Sequence, residues 1–156
     1  MDPRHFPGIK VFIDTSVLIA GLASVTGGSA TVLDLGEAGV IKLVISRQVL
    51  VEADRNVTAK LPKMVDRFRR FMRRLSPVIV DDPSPTEIQA AALVIHAKDA
   101  PILAAAKKAQ VDFLITLDKK HFLSGKTGIR GRFKIVTPGE FLQTFERLYL
   151  ERPDQD

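Results

Sequence analysis

The sequence predicts one α/β domain: a three-layer α/β/α sandwich around a parallel sheet of four or five strands. Three observations predict it. Short apolar runs, nearly continuous rather than alternating, recur along the chain, as strands buried on both faces of a parallel sheet do. Segments of helical period lie between them. Serine, glycine and proline stand where those helices would begin and end. No repeat of fixed period and no shift in composition divides the 156 residues, a length suited to one core. The domain is expected over residues 1–151, with 152–156 a polar tail.

The strands are read in order. Lys10-Val11-Phe12-Ile13 is an apolar run ending in Asp14. Ile41 to Ser46 (IKLVIS) is the second, Pro77 to Val80 the third, Val111 to Thr116 (VDFLIT) the fourth and Phe133 to Thr137 (FKIVT) the fifth. The helices follow the same order. The first runs from Ser16 to about Ser24. The second follows Gly27-Gly28, with Ser29 as its cap and Gly39 as its end. Ser46 caps the third, from Arg47 through Lys60, and the fourth spans Pro62 to Leu75. The fifth runs from Glu87 to His96 after the loop DDPSP, and the sixth from Pro101 to Ala109. The last, Pro138 to Leu150, has proline at its first position, where a missing N–H costs nothing.

Composition removes several classes of chemistry. With no cysteine there are no disulfides, thiolate nucleophiles or zinc–thiolate sites. The N-terminus lacks an apolar run followed by a small-residue cleavage site, and no uncharged apolar stretch is long enough to span a membrane, so a cytoplasmic protein without membrane contact is expected. The net charge of +5 favours a polyanionic partner. Tryptophan is absent and tyrosine occurs once, which leaves few platforms for stacking bases.

Open parallel sheets bind ligands just beyond the carboxyl ends of their strands. Asp14 ends the first strand, followed by Thr15-Ser16, and Asp118 lies two residues beyond Thr116, where the fourth strand ends. If these strands flank the switch point, the two carboxylates share one edge. Like charges at close range resist one another, and a hard cation between them resolves the conflict. Oxygen-only ligation suits Mg²⁺ or Mn²⁺. Glu52, inside the helix after strand two, and Asp99, ahead of Ala100-Pro101, can join them. Each has a plainer alternative: helix cap for Asp14 and Asp99, turn residue for Asp118, solvated helix residue for Glu52. Asp112, at the opposite strand end, and Asp81-Asp82, in a loop, read as structural or solvated.

Other signals are weaker. Gly125-Lys126-Thr127 resembles the end of a phosphate-binding loop, but Lys120 stands where the first glycine belongs. Ser124 to Arg132 (SGKTGIRGR) reads as a mobile basic loop, with Lys126 a candidate for RNA phosphates. His5, His96 and His121 have no ligand spacing, and no serine occupies a nucleophile elbow. Between Leu61 and Leu75 an apolar stripe at helical spacing reads as core or subunit interface. Beside it Lys63, Arg67, Arg70 and Arg74 form a basic stripe. Arg67, Arg70 and Arg74 are RNA-binding candidates, with a solvated face the equal alternative.

Four segments together resemble the PIN-domain family, specifically its toxin-like ribonucleases: VFIDTSVLIAG at 11–21, LVISRQVLVEADRNV at 43–57, KDAPILAAAKKAQVDFLITLDKKHFL at 98–123 and KIVTPGEFL at 134–142. Their order and spacing carry the likeness. The resemblance implies a PIN-like, Rossmann-like sandwich with a carboxylate quartet at Asp14, Glu52, Asp99 and Asp118, and a small hydroxyl residue at Thr116. Ser16 stands where the family often has asparagine, and Leu117 where it often has glycine. Neither change removes a carboxylate, and Ser16 retains a hydroxyl for Asp14.

The implied activity is that of a Mg²⁺- or Mn²⁺-dependent endoribonuclease acting on single-stranded or structured RNA. In such an enzyme the ion lowers the pKa of a water and polarises a phosphoryl oxygen. The resemblance further implies a homodimer and a cognate antitoxin as partner. Two other classes compete: a non-catalytic nucleic-acid or protein-binding domain on the same fold, and a magnesium-dependent phosphohydrolase of small molecules. A binding module gains nothing from several acids gathered near phosphates, and the phosphohydrolase's strand-end DxD is absent, since the chain reads Asp14-Thr15-Ser16.

Overall fold

The computed structural model describes residues 8–118, 129–130 and 133–151. His5, His121 and Lys126 lie outside them. Six strands form one sheet: β1 (Lys10–Ile13), β2 (Lys42–Ser46), β3 (Val78–Val80), β4 (Phe113–Ile115), β5 (Ile129–Arg130) and β6 (Phe133–Val136). Their order is β3-β2-β1-β4-β6-β5. Every pairing is parallel except that of β5 with β6. All five expected strands are present. The sixth, β5, is an antiparallel edge strand within the segment read from sequence as a basic loop. Two residues between glycines carry no readable apolar period.

The helices are α1 (Thr15–Ala23), α2 (Gly28–Glu37), α3 (Arg47–Lys60), α4 (Val65–Leu75), α5 (Pro85–Ala92), α6 (Ala100–Lys108) and α7 (Pro138–Leu150). Local chemistry sets most boundaries. Ser46 caps α3 by accepting from Val49 N–H at 3.2 Å, as the sequence suggests. Ser84 caps α5 in a reciprocal box with Glu87, so this helix starts two residues before the position expected at Glu87. Gly27, not Ser29, is the N-cap of α2; Ser29 is instead buried inside its first turn. A 3-10 turn at Pro62–Met64 separates α3 from α4, so the single helix expected over 62–75 is divided. Gly39, at φ +78°, follows the end of α2 as expected.

Helix contacts fall into two groups, α1 to α4 with α7, and α5 with α6. Right-handed crossovers produce that division. From β1 the chain builds outward through β2 to β3, crosses over the opposite face through α5 and α6, and returns to β4 on the other flank of β1. Beside β1, then, the strand order reverses, and helices cover both faces. Val11, Phe12 and Ile13 are wholly buried, which accounts for the unbroken apolar run in β1. The stripe of α4 is core: Phe68 and Leu75 are buried, and α4 packs on α2 and α3.

One glycine governs how closely α2 approaches the sheet. A Cβ on Gly36 would lie 2.1 Å from Leu43 Cδ1 and 2.3 Å from its Cγ, and Leu43 is buried in β2. Gly36→Ala is therefore expected to destabilise the fold by about 1–3 kcal/mol, the usual cost of overpacking. Thermal denaturation checks this: the midpoint should fall by several degrees, and an unchanged midpoint would show that Leu43 yields freely.

Candidate functional site

Parallel pairing of β1 with β4 aligns Ile13 with Ile115, so Asp14 and Thr116 leave the sheet side by side. Asp14 N–H donates to Ile115 O at 3.3 Å. The backbone then turns into α1, and Asp14 is its N-cap. Asp14 Oδ1 accepts from Val17 N–H at 3.3 Å and from Ser16 Oγ at 2.5 Å, while Oδ2 accepts from the Thr116 hydroxyl. Thr116 is fully buried, and its N–H donates to Val136 O on β6. Its Oγ1 accepts from Asp118 N–H at 3.0 Å, and Leu117 N–H donates to Ser16 Oγ at 3.3 Å. The turn that presents Asp118 is thus pinned to the start of α1. Leu117 takes part through its backbone, so the absence of glycine there leaves this connection intact.

Burial raises the Asp14 pKa above the ordinary aspartate value; hydrogen bonds from Ser16, Thr116 and Val17 oppose the shift without cancelling it. Capping one helix does not require this degree of desolvation.

Glu52 sits in the second turn of α3, half-buried. Its Oε2 accepts from Thr15 Oγ1 at 3.2 Å and its Oε1 from Gln48 Nε2 at 2.9 Å. Through Thr15, Glu52 is tied to the residue that follows Asp14. Asp99 occupies the N-cap position of α6 but makes no capping bond, and its buried Oδ2 has no hydrogen-bond partner among the described residues. The helix-cap alternative for Asp99 therefore fails on its own terms. The far end of α6 is fastened to the amino edge of β1, where Lys10 Nζ donates to Ala109 O at 2.8 Å. From there α6 extends back along the sheet for about 13 Å, at 1.5 Å per residue, which carries its start and Asp99 toward the carboxyl edge. Among the described residues, no three acidic or histidine side chains stand close enough together to enclose a metal ion. Hydrogen bonds connect Asp14, Ser16, Thr116 and Asp118, and Glu52 joins through Thr15. Among the described residues, no hydrogen bond ties the Asp99 side chain to this network.

The remaining acids act as expected. Asp112 Oδ2 accepts from Lys10 N–H at 2.9 Å at the opposite edge. Asp82 Oδ1 accepts from Gln48 N–H at 2.9 Å, and Asp81 lies 3.7 Å from Arg47. His96 Nδ1 accepts from Lys98 N–H at 3.1 Å. Arg74 pairs with Glu37 at 3.4 Å, so it faces an acid of its own chain, and Arg67 lines the same groove. Arg70 is exposed. Sequence reasoning passed over Thr15 and Gln48. The readable signal was the i, i+4 spacing of Gln48 and Glu52 on one helix face.

Comparison with known proteins agrees with this geometry. The family model described as PIN domain matches residues 10–120. No curated protein matches the sequence. Among solved structures, the protein PAE2754 from Pyrobaculum aerophilum superposes with a TM-score of 0.60 at 18% identity, covering 92% of this chain and 91% of that one. VapBC2 from Rickettsia felis, solved with a DNA fragment of its promoter, gives 0.56 at 18% identity over 83% and 98%. VapC20 from Mycobacterium tuberculosis, a toxin that cleaves the sarcin–ricin loop, gives 0.52 at 20% identity over 77% and 98%. These identities speak for a shared fold. With most of its length matched by the family model, this chain belongs to the PIN-domain family.

Proposed function

We propose that the protein is a Mg²⁺- or Mn²⁺-dependent endoribonuclease, the toxin of a toxin–antitoxin pair. The observation that carries this reading is the carboxylate of Asp14, desolvated at the switch point and held by Ser16 and Thr116. The orphaned Oδ2 of Asp99 and the all-oxygen donor set fit a hard divalent cation. Mg²⁺ keeps several of its waters and is commonly bound through one or two carboxylates, so a closed cage of acids is not required. Asp14 and Asp99 would hold the ion, with Asp118 and Glu52 as further oxygen donors at the same edge. When bound, such an ion polarises a phosphoryl oxygen and makes water a competent nucleophile at neutral pH. Ser16 and Thr116 keep the Asp14 carboxylate oriented and favour its ionised form. Arg67, Arg70 and Lys126 are candidates for the phosphate backbone, and Arg74 contributes only by leaving Glu37.

Likeness in fold to a toxin that cleaves the sarcin–ricin loop and to the VapBC2 proteins supports RNA as substrate and an antitoxin as partner. A homodimer belongs to the same reading. Among the described residues no single helix is long and apolar enough to cross a membrane.

One labelled RNA tests the chemistry. Cleavage should stop in EDTA and return with Mg²⁺ or Mn²⁺. The products should carry 5′-phosphate and 3′-hydroxyl ends, the polarity that resemblance to related metal-dependent nucleases implies for attack by metal-activated water. A 2′,3′-cyclic phosphate formed in excess EDTA would overturn the mechanism. Hydrolysis of small phosphomonoesters without cleavage of RNA would overturn the substrate.

A further inference from the structure

We infer that Gln48 is a positioning residue for Glu52, the outer half of a two-point clamp whose inner half is Thr15. The inference rests on the functional reading above. Among the described residues each oxygen of Glu52 has one donor: Gln48 Nε2 lies 2.9 Å from Oε1 and Thr15 Oγ1 lies 3.2 Å from Oε2. A carboxylate only accepts, so the amide of Gln48 must present its nitrogen. The two residues are one helical turn apart on α3, the spacing at which side chains meet.

Gln48 is itself held. Its backbone N–H donates to Asp82 Oδ1 at 2.9 Å, and the next donor, Val49 N–H, goes to Ser46 Oγ at 3.2 Å. Side chains from the ends of β2 and β3 thus cap the first turn of α3 together. That fixes the backbone from which Gln48 reaches. Thr15 is fixed from the other side, as the first residue of the helix that Asp14 caps. The clamp therefore spans the sheet edge from β3 to β1 and sets Glu52 against the turn that carries Asp14.

The chemistry of the donors matters as much as their geometry. Glutamate has several rotatable bonds, and a half-buried one loses conformational freedom when it is ordered. Two hydrogen bonds supply that order in advance. Both donors are neutral, so they orient the carboxylate without cancelling its charge, as a lysine or arginine in either place would. An ionised carboxylate has about four acceptor sites. The described residues use one on each oxygen, which leaves acceptor capacity for a water or a cation. Supporting hydrogen bonds of this kind are worth roughly 10–100-fold in metal affinity or activity.

The test is a double-mutant cycle on the full chain, with Gln48→Leu, Glu52→Gln and the double variant. Mn²⁺ affinity is measured by electron paramagnetic resonance without RNA, and turnover on RNA is measured separately. Gln48→Leu should weaken Mn²⁺ binding and slow turnover by about 10-fold or more. In the Glu52→Gln background the same substitution should change neither. Equal effects in both backgrounds would overturn the proposal, since a role in helix stability alone is additive. Thr15 supplies an independent arm: Thr15→Ser should retain wild-type Mn²⁺ affinity and Thr15→Val should lose it, and identical behaviour of the two would count against the clamp. A wild type that binds Mn²⁺ and cleaves RNA, with Gln48→Leu indistinguishable from it, overturns the role of Gln48 alone. A wild type that does neither overturns the nuclease reading itself.

Discussion

Asp14→Asn is expected to lower RNA cleavage by at least about 100-fold, the scale at which removing one group that handles developing charge slows turnover. The same substitution is expected to make the metal-free protein more stable at neutral pH. Asparagine keeps the shape of the side chain, one acceptor oxygen and a good capping preference for α1. The hydroxyls of Ser16 and Thr116 can rotate to accept from its amide. What disappears is a charge that burial disfavours. Because the folded-state pKa of Asp14 is raised, its contribution to stability is fully present in acid, below the unfolded value, and is lost as pH rises through the folded value. Wild type carries that loss at pH 7 and Asp14→Asn does not. Thermal melts in EDTA should show a higher midpoint for the variant at neutral pH and a narrowing difference as pH falls into the carboxylate range. A folded Asp14→Asn protein with wild-type turnover would remove Asp14 from the site. A midpoint difference that does not change with pH would remove the electrostatic explanation.

Thr116→Val should have the next largest effect, and it acts on stability and activity in the same direction. The hydroxyl of Thr116 is wholly buried and has two duties: it donates to Asp14 Oδ2 and accepts from Asp118 N–H. Valine has the same shape, so packing is preserved while both partners lose their bond. A buried group left without its partner costs about 1–3 kcal/mol, and the midpoint should fall accordingly. The turn that presents Asp118 loses its attachment to Asp14, for which a 10–100-fold fall in turnover or Mn²⁺ affinity is expected. Thr116→Ser retains the hydroxyl and should restore most of both. If valine and serine variants turn over equally, Thr116 is a packing residue and nothing more.

How far the sequence disclosed this arrangement depends on the range of the interaction involved. Asp14 was legible because it directly follows an apolar run, and a strand end in a parallel sheet is a functional address. Ser46 and Gly39 were legible because caps and exits are decided within a few residues. The pairing of β1 with β4 was conditional in the sequence and is fixed in the fold by the register of Ile13 with Ile115. Ser29 misled, since a serine beside two glycines looks like a cap, yet the chain begins α2 at Gly28 and buries Ser29 instead. Strand β5 was invisible because it owes its existence to pairing with β6 rather than to its own two residues. The stripe of arginines on α4 was correctly seen as periodic, but only tertiary packing could show that Arg74 meets Glu37 on α2. The partners of Glu52 belong to the same kind: Thr15 is distant in sequence, and only the helical neighbour Gln48 left a trace in the spacing.

The edge carrying Asp14 is expected to hold a divalent cation, and crystals grown with Mn²⁺ at a concentration that supports cleavage would reveal it. Anomalous diffraction near the manganese edge should place a peak against the carboxylate oxygens of Asp14, and the peak should be absent from Asp14→Asn crystals grown in the same way. Ordered electron density at Asp14 with no anomalous peak there, from protein that cleaves RNA in the same buffer, would show that Asp14 does not hold the ion.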